Sequence, residues 1–256
     1  MMLEGSLKKN GEKAAYVLLE PTQGEAGIRV PSREFIKAIT DGSKKHNIPI
    51  FADEVQSGFM RTGADNFWAS RLFSDVGFKP DIISSAKALG GGEYPVGAVV
   101  MTNEIADQIK PGMHGSTFGG NIRAMAFVNK TLDILERDET KNNIRQRTEQ
   151  LDESVDEMQR DNPDVIVGTT GTGLWRGIVL NPELSTSKVT KKHLENGVVT
   201  GESGANVLRV APSLTITQEE LQTGSERLAD SFHDISKNMK QFMNSEISKS
   251  SGFSRV

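Results

Sequence analysis

The sequence predicts an α/β protein built on a mostly parallel sheet. Residues 14–20 and 48–52 are short apolar runs of strand length. A helix-like segment with Ser32 as its N-cap lies between them. A strand, a helix and a second strand in this order form a βαβ unit, whose strands lie parallel in one sheet. The predicted class is therefore α/β.

A third apolar run supplies a parallel strand and a candidate reactive group. It contains Ile82 and Ile83 and ends in small residues, then Lys87, then three glycines. Open α/β sheets bind their ligands beyond the carboxyl ends of such strands. A lysine that is partly desolvated there offers a neutral amine for attack on a carbonyl. A solvated lysine without a chemical role is the alternative. A P-loop is excluded, because the glycines follow the lysine.

Two carboxylates follow the second strand directly. Asp53 and Glu54 would reach the same sheet edge as Lys87 if the strands are parallel. Neighbouring residues of a strand point to opposite faces, so one carboxylate is expected to face the site and the other a helix or a cap. An ordinary N-cap role for Asp53 stays open at this point.

The later elements follow from periodicity and turn signals. A run at 96–101 adds a strand that a turn at 93–95 allows to be antiparallel, and 165–167 with 174–180 resembles a hairpin around a turn at 168–173. A strand covers 207–210, and Thr217 with Glu220 forms a capping box. Three helical stripes are expected to pack against other elements: Ile122, Met125, Val128, Leu132 and Leu135; Ile144, Leu151, Val155 and Met158; Leu221, Leu228, Phe232, Ile235 and Met239.

Composition excludes several functional classes. The 256 residues carry 25% charged side chains and a formal net charge of −4, which argues against nucleic acid as a partner. The chain contains no cysteine, so disulfides, thiolate metal sites and cysteine nucleophiles are excluded, and no metal site is expected. No apolar run approaches the ~20 residues of a membrane span, so no membrane partner is expected. A cytoplasmic protein is the expectation.

Five motifs carry a resemblance to a known family. In order they are EPTQGEAG from Glu20, DEVQSG from Asp53, RTG from Arg61, KALGGG from Lys87 and HGSTFGGN from His114. Together they resemble the class III pyridoxal-phosphate-dependent aminotransferases, which include acetylornithine, ornithine and 4-aminobutyrate aminotransferases. The resemblance runs from about residue 14 to about residue 232. One small departure is Phe59-Met60, where the family usually has a glycine or a similarly small residue before RTG.

The resemblance implies a role for each cofactor-binding residue. Lys87 would form the Schiff base with pyridoxal 5'-phosphate, and Asp53 would pair with the pyridine nitrogen so that the ring accepts electrons. Val55 would press on one ring face and Gln56 would reach the phenolic oxygen. The remaining pair, Ser116 and Thr117, would bind the phosphate of a neighbouring subunit's cofactor, which implies a homodimer with shared active sites.

The resemblance also implies a substrate class. Arg209 would bind a substrate carboxylate through its planar fork, and Glu25 would pair with that arginine when an ω-amine donor is bound. This points to transfer of an ω-amino group from an ornithine-like or N-acetylornithine-like donor to 2-oxoglutarate, in arginine or lysine biosynthesis. The alternatives are another class III activity, such as 4-aminobutyrate aminotransferase or an aminomutase, and a truncated remnant without catalysis.

The family fold implies the domain organisation. The resemblance predicts a fold type I pyridoxal-phosphate transferase with an incomplete large domain at 1–138, an α+β small domain at 139–243 and a disordered tail at 244–256. Family members carry a long portion before the EPxQGExG segment. By resemblance this sequence corresponds to the C-terminal part of such an enzyme, with the rest lost or on another chain.

Overall fold

The computed structural model describes residues 5, 14–63, 65 and 67–244, which form two compact units. The first unit contains the described residues up to Thr22 and Val30–Lys141. The second contains Gln23–Arg29 and the residues from Asn142 onwards. The predicted domain limits remain predictions, and all of the predicted tail except its first residue lies outside the described residues.

The first unit is built on a four-stranded sheet in the order β1-β2-β3-β4. Its strands are β1 Val17–Leu19, β2 Ile50–Asp53, β3 Ile82–Ser85 and β4 Ala98–Met101. The pairs β1–β2 and β2–β3 are parallel, whereas β3 and β4 are antiparallel. The prediction of a mostly parallel sheet with an antiparallel fourth strand is confirmed.

Helix α1, Arg33–His46, connects β1 and β2 as the βαβ pattern predicts. The Ser32 side chain accepts a hydrogen bond from the Phe35 backbone N–H, which confirms Ser32 as the N-cap. Phe35 itself is exposed, whereas Ile36 and Ile39 of the same helix are buried. The core of this layer consists of Ile36, Ile39, Ile50, Phe73 and Phe78.

The remaining elements of the first unit are short helices and one longer helix. They are the 3₁₀ segment Ala69–Val76, the 3₁₀ turn Lys87–Gly90, helix α2 Asn103–Ala106 and helix α3 Ile122–Leu135. Helix α3 packs against the Lys87–Gly90 turn. Its predicted apolar stripe is only partly buried: Leu135 is buried, but Ile122 and Met125 are exposed. The periodicity of the sequence predicts an apolar face of the helix, but it does not predict which surface, if any, covers that face.

The second unit is an antiparallel sheet with helices. Helix α4 spans Asp138–Asp161, and its four predicted stripe residues are all buried. The sheet order is β5-β6-β8-β7, with every pair antiparallel. The elements are β5 Ile166–Gly171, β6 Arg176–Leu180, α5 Thr186–Glu195, β7 Gly201–Ser203, β8 Val207–Val210, α6 Gln218–Lys237 and α7 Met239–Phe242.

Most local predictions for this unit are confirmed. Strands β5 and β6 form the predicted hairpin, but β5 runs on to Gly171, so the turn is shorter than the predicted 168–173. The capping box of Thr217 and Glu220 opens α6 with both reciprocal hydrogen bonds. Met239 was predicted as the last member of the α6 stripe, but α6 ends at Lys237 and Met239 lies in α7. None of the helices in the described part of the chain is long and apolar enough to cross a membrane.

Candidate functional site

Lys87 lies just beyond the carboxyl end of β3, where the sequence predicted it. Strand β3 ends at Ser85, and Lys87 opens the following 3₁₀ turn. Its φ of 47° is in the left-handed region, which a residue with a side chain seldom adopts. Strained backbone of this kind clusters at functional sites. The Lys87 side chain is exposed, so the described residues do not supply the partial desolvation that was expected.

Glycine allows the Lys87 turn to pack closely on α3. The turn ends at Gly91, whose φ is +68°. A Cβ on Gly91 would lie 2.7 Å from Thr131 Oγ1 of α3, closer than real Cβ contacts allow. Thr131 Oγ1 is itself fixed, because it donates to the Phe127 carbonyl at 2.9 Å. The turn that carries Lys87 is therefore supported by a helix rather than held by its own strand alone.

Asp53 is the last residue of β2 and lies at the same sheet edge as Lys87. It pairs in register with Ser84 of β3, three residues before Lys87. Asp53 Oδ1 accepts from the Val55 backbone N–H at 3.0 Å and from Ser84 Oγ at 3.2 Å. These two donors fix the orientation of a half-buried carboxylate. The parallel register therefore brings the predicted amine and carboxylate to one edge.

Glu54 turns away from that edge and caps another element. It is fully buried, and its carboxylate accepts from the backbone N–H groups of Ala69 at 2.5 Å and Ser70 at 2.8 Å. Burial raises the pKa of Glu54, although the hydrogen bonds of the Ser70 and Ala69 groups oppose the rise. The expectation that one of the two carboxylates would serve as a cap is confirmed for Glu54.

The other predicted cofactor residues fall into two groups. Val55 and Gln56 follow Asp53 directly and are half-buried at the same edge. Ser116 and Thr117 are exposed, in a segment between α2 and α3 that is exposed throughout. A pair of exposed hydroxyls next to glycines is open to a partner, which is compatible with the predicted role toward a neighbouring subunit.

Arg209 and Glu25 form an ion pair within the second unit. The guanidinium Nη1 lies 2.7 Å from Glu25 Oε1, and the two side chains are 29% and 66% exposed. Arg209 lies on β8, opposite Gly177 of β6 and Gly201 of β7. A Cβ on Gly201 would approach Arg209 Nε to 3.1 Å and Nη2 to 3.3 Å, so glycine there makes room for the guanidinium.

The sequence motifs did not include the residues that hold Glu25 and Arg209 in place. Ser203 and Thr170 both hydrogen-bond to the segment that carries Glu25, and Gly201 and Gly177 flank the arginine. The sequence signal for these residues was the alternation of side chains between the two faces of a strand. Gly201 and Ser203 share one face of a strand, but a three-residue strand is too short to stand out.

The chain is similar to a well-characterised group of enzymes. It matches the family described as aminotransferase class-III over residues 2–232. It is 38% identical over 222 residues to acetylornithine aminotransferase of Neisseria meningitidis serogroup B, which covers 85% of this chain and 54% of that protein. It is 36% identical over 233 residues to the mitochondrial ornithine aminotransferase of Arabidopsis thaliana, which covers 89% of this chain and 48% of that protein.

Solved structures that the chain resembles include acetylornithine and ornithine aminotransferases. Acetylornithine aminotransferase from Elizabethkingia anophelis matches with a TM-score of 0.82 and 36% identity, over 91% of this chain and 60% of that chain. Ornithine δ-aminotransferase of Plasmodium falciparum matches with a TM-score of 0.81 and 31% identity, over 92% of this chain and 61% of that chain. The chain spans about half the length of the curated relatives it matches.

Proposed function

Because the chain belongs to the class-III aminotransferase family, we propose that it carries the reactive residues of an ω-aminotransferase. Enzymes of this family depend on pyridoxal phosphate, and they share the fold type I architecture. The proposed reaction moves an ω-amino group from an ornithine-like or N-acetylornithine-like donor to 2-oxoglutarate. The observation that carries the proposal is the parallel register that brings Asp53 and Lys87 to one sheet edge.

The donor set at this edge fits pyridoxal phosphate. The cofactor presents an aldehyde, a phenolic oxygen, a pyridine nitrogen and a phosphate. Lys87 offers an amine for the aldehyde, and Gln56 offers an amide for the phenolic oxygen. Asp53 offers an oriented carboxylate for the pyridine nitrogen. The hydroxyls of Ser116 and Thr117 suit the phosphate, and their exposure supports a contribution to a second subunit's site.

Each residue has a separate task in the proposed mechanism. When bound, the cofactor supplies an electron sink for the bond that is broken at the substrate carbon. Lys87 would hold the cofactor through its ε-amine and move a proton to and from that carbon with Nζ. Asp53 would keep a proton on the pyridine nitrogen, and the bonds from Val55 N–H and Ser84 Oγ hold its carboxylate in place.

Arg209 and Glu25 support the choice of substrate class. A free arginine would bind the α-carboxylate of 2-oxoglutarate in two hydrogen bonds. The 2.7 Å ion pair with Glu25 neutralises Arg209, and this suits an ω-amine donor, which presents no carboxylate to it. Arg209 paired with Glu25 would serve the half-reaction with the amine donor, and Arg209 released from Glu25 would serve the half-reaction with 2-oxoglutarate. We further propose arginine or lysine biosynthesis as the pathway, a homodimer as the working form and the cytoplasm as its location.

Reductive labelling tests the proposed site directly. The purified chain is incubated with pyridoxal phosphate, reduced with borohydride and mapped by mass spectrometry. Saturable modification of Lys87 alone is the expected result. Lys79, which lies before the same strand, serves as an internal control for surface reactivity. Labelling spread over several lysines, or none at Lys87, would contradict an assembled site and favour a non-catalytic remnant.

Asp53→Asn tests the electron-sink role separately. Asparagine keeps the size of the side chain and an acceptor oxygen, but it cannot keep the pyridine nitrogen protonated. We expect Lys87 labelling to persist while transamination of ornithine, N-acetylornithine and 4-aminobutyrate with 2-oxoglutarate falls by about a hundredfold or more. Near-normal transamination by this variant would show that Asp53 has another role.

A further inference from the structure

The segment Gln23–Arg29, here called the Glu25 loop, is closed on itself and pinned to the sheet of the second unit. Gln23 and Arg29 exchange both backbone hydrogen bonds, at 2.9 and 3.1 Å. Ile28, at the end of the loop, is fully buried with a φ of 48°. The ends of the loop are therefore held together by its own backbone hydrogen bonds, independently of side chains from the sheet.

Two hydroxyls of the sheet then hold the middle of the Glu25 loop. Ser203 Oγ of β7 donates to the Gly24 carbonyl at 2.6 Å and accepts from the Gly27 N–H at 2.9 Å. Thr170 Oγ1 of β5 donates to the Gly27 carbonyl at 2.7 Å. Ser203 is 1% exposed, so its bonds are not exchanged with water. Backbone groups of Gly24 and Gly27, one on each side of Glu25, are therefore anchored.

The anchors and Arg209 lie on the same face of the sheet. Thr170 pairs with Gly177, Gly177 pairs with Arg209, and Arg209 pairs with Gly201, two residues before Ser203. Residues that pair in register, or are two apart on a strand, share a face. A Cβ on Gly177 would lie 2.2 Å from Thr170 Oγ1 and 3.3 Å from the Gly27 carbonyl oxygen. Glycine at 177 therefore leaves space for the Thr170–Gly27 hydrogen bond.

The ion pair needs this support because it is weak by itself. Glu25 is 66% exposed, and an exposed ion pair contributes little, because water screens both charges and the side chains lose freedom. A loop free to move would carry the carboxylate away from Arg209 for much of the time. Anchoring of the backbone confines Glu25 to side-chain rotation within reach of the guanidinium.

We propose that Ser203 and Thr170 are positioning residues for the Glu25–Arg209 pair, so that they set how strongly Glu25 competes with a substrate carboxylate for the arginine. This inference rests on the carboxylate-binding role of Arg209 in the proposed function. The Ser203 and Thr170 hydroxyls contact the backbone of the Glu25 loop and would act through it. Loss of either hydroxyl should free Arg209 and tighten its binding of a carboxylate.

The test measures carboxylate binding without catalysis. Glutarate, a dicarboxylate that cannot be transaminated, is titrated into the full 256-residue chain while the Nε–H signal of Arg209 is followed by NMR. The signal is assigned by its loss in Arg209→Lys. We expect Ser203→Ala and Thr170→Val to bind glutarate about threefold to tenfold more tightly than the unaltered chain, the range expected from one buried hydrogen bond. Glu25→Gln is expected to bind at least as tightly as either.

Matched variants separate positioning from a folding defect. Thr170→Ser keeps the hydroxyl and should bind glutarate as the unaltered chain does. Ser231→Ala removes a fully buried hydroxyl of α6 that has no hydrogen-bond partner among the described residues, and it should also leave the affinity unchanged. A damaged fold would weaken binding rather than tighten it, so a rise in affinity reports the release of Glu25.

Two results would overturn the inference, and only the second would also contradict the proposed function. If Glu25→Gln tightens binding but Ser203→Ala and Thr170→Val do not, the anchors do not position Glu25, and the proposed function stands. If Glu25→Gln itself leaves the affinity unchanged, the ion pair does not gate Arg209. The substrate assignment of the proposed function then fails together with the inference.

Discussion

His193 is a buried titratable side chain that takes no part in the proposed chemistry. It lies on α5, is fully buried and packs edge-on against Phe232 with ring centroids 4.8 Å apart. Its Nδ1 is 3.0 Å from Thr200 Oγ1, while Nε2 has no hydrogen-bond partner among the described residues. Burial lowers the pKa of His193 from 6.5 to about 4. The imidazole is therefore neutral in the folded chain at neutral pH.

The lowered pKa predicts acid sensitivity of the second unit. Between pH 6.5 and about 4 the unfolded chain binds a proton at His193 that the folded chain does not. Stability is therefore fully present above pH 6.5 and declines as the pH falls toward 4, by about 3 kcal/mol in total. Denaturant unfolding at several pH values checks this, followed by Trp175 fluorescence in a Trp68→Phe background.

Two histidine variants make that measurement specific. His193→Gln should flatten the pH dependence in this window, whatever its effect on absolute stability. His233→Gln, which alters an exposed histidine of α6, should keep the slope of the unaltered chain. An equal slope in His193→Gln would mean that other groups cause the acid sensitivity.

Sequence reasoning at the residue scale succeeds where a group's partners are near in the chain or repeat a motif. Asp53 and Lys87 could be assigned to one edge because both follow predicted parallel strands, and one of Asp53 and Glu54 could be expected to turn away, although the strand pattern did not show which. Ser203 could not be found in this way. Its acceptor, Gly24, is 179 residues distant, and no local pattern encodes a contact between a short strand and a remote loop.

At the scale of elements, α6 contains a glycine that its packing does not require. Gly224 lies in the helix interior, and a Cβ added there would meet nothing within 4 Å. Glycine lowers helix stability because it gives the unfolded chain more freedom. Gly224→Ala should therefore raise the free energy of unfolding of the second unit by about 0.5–1 kcal/mol. The midpoint of denaturant unfolding measures the change.

Gly197→Ala provides the opposite case in the same unit. This residue lies just beyond α5 with a φ of +78°, and a Cβ would approach Arg227 Nη1 to 3.0 Å. Alanine should destabilise here by about 1 kcal/mol or more, because the left-handed conformation is costly for a side chain. A destabilised Gly224→Ala would show that α6 needs glycine for a reason beyond its local space.

The same contrast explains which elements were predictable. The caps at Ser32 and Thr217 depend on residues three positions apart, so the sequence contains the whole interaction. The stripe on α3 depends on a partner surface that periodicity does not describe, and Ile122 is 85% exposed. The left-handed backbone at Phe59 and Met60 was not predicted, although the sequence departs there from the glycine or similarly small residue that is usual in the family.

At the scale of the whole molecule, the chain exposes many large apolar side chains in its first unit. It spans about half the length of the curated proteins it matches. Within the described part of the first unit, exposed apolar side chains concentrate in the stretch that runs from β4 into α3: Val99, Val100, Ile109, Met113, Phe118, Ile122, Met125 and Phe127. Exposed apolar patches of this kind mark interaction surfaces.

This concentration of apolar side chains predicts concentration-dependent self-association of the purified chain. Replacing two of the most exposed members, Phe118→Lys with Ile122→Lys, should weaken association about tenfold or more, because each exposed apolar side chain contributes about 1.5–3 kcal/mol when it is buried. Sedimentation velocity over a range of concentrations measures the effect. Leu194→Lys, at an exposed helix position of the second unit, should leave association unchanged. Equal weakening by Leu194→Lys would indicate a general charge effect, and association that survives the double change would place the contact on another surface.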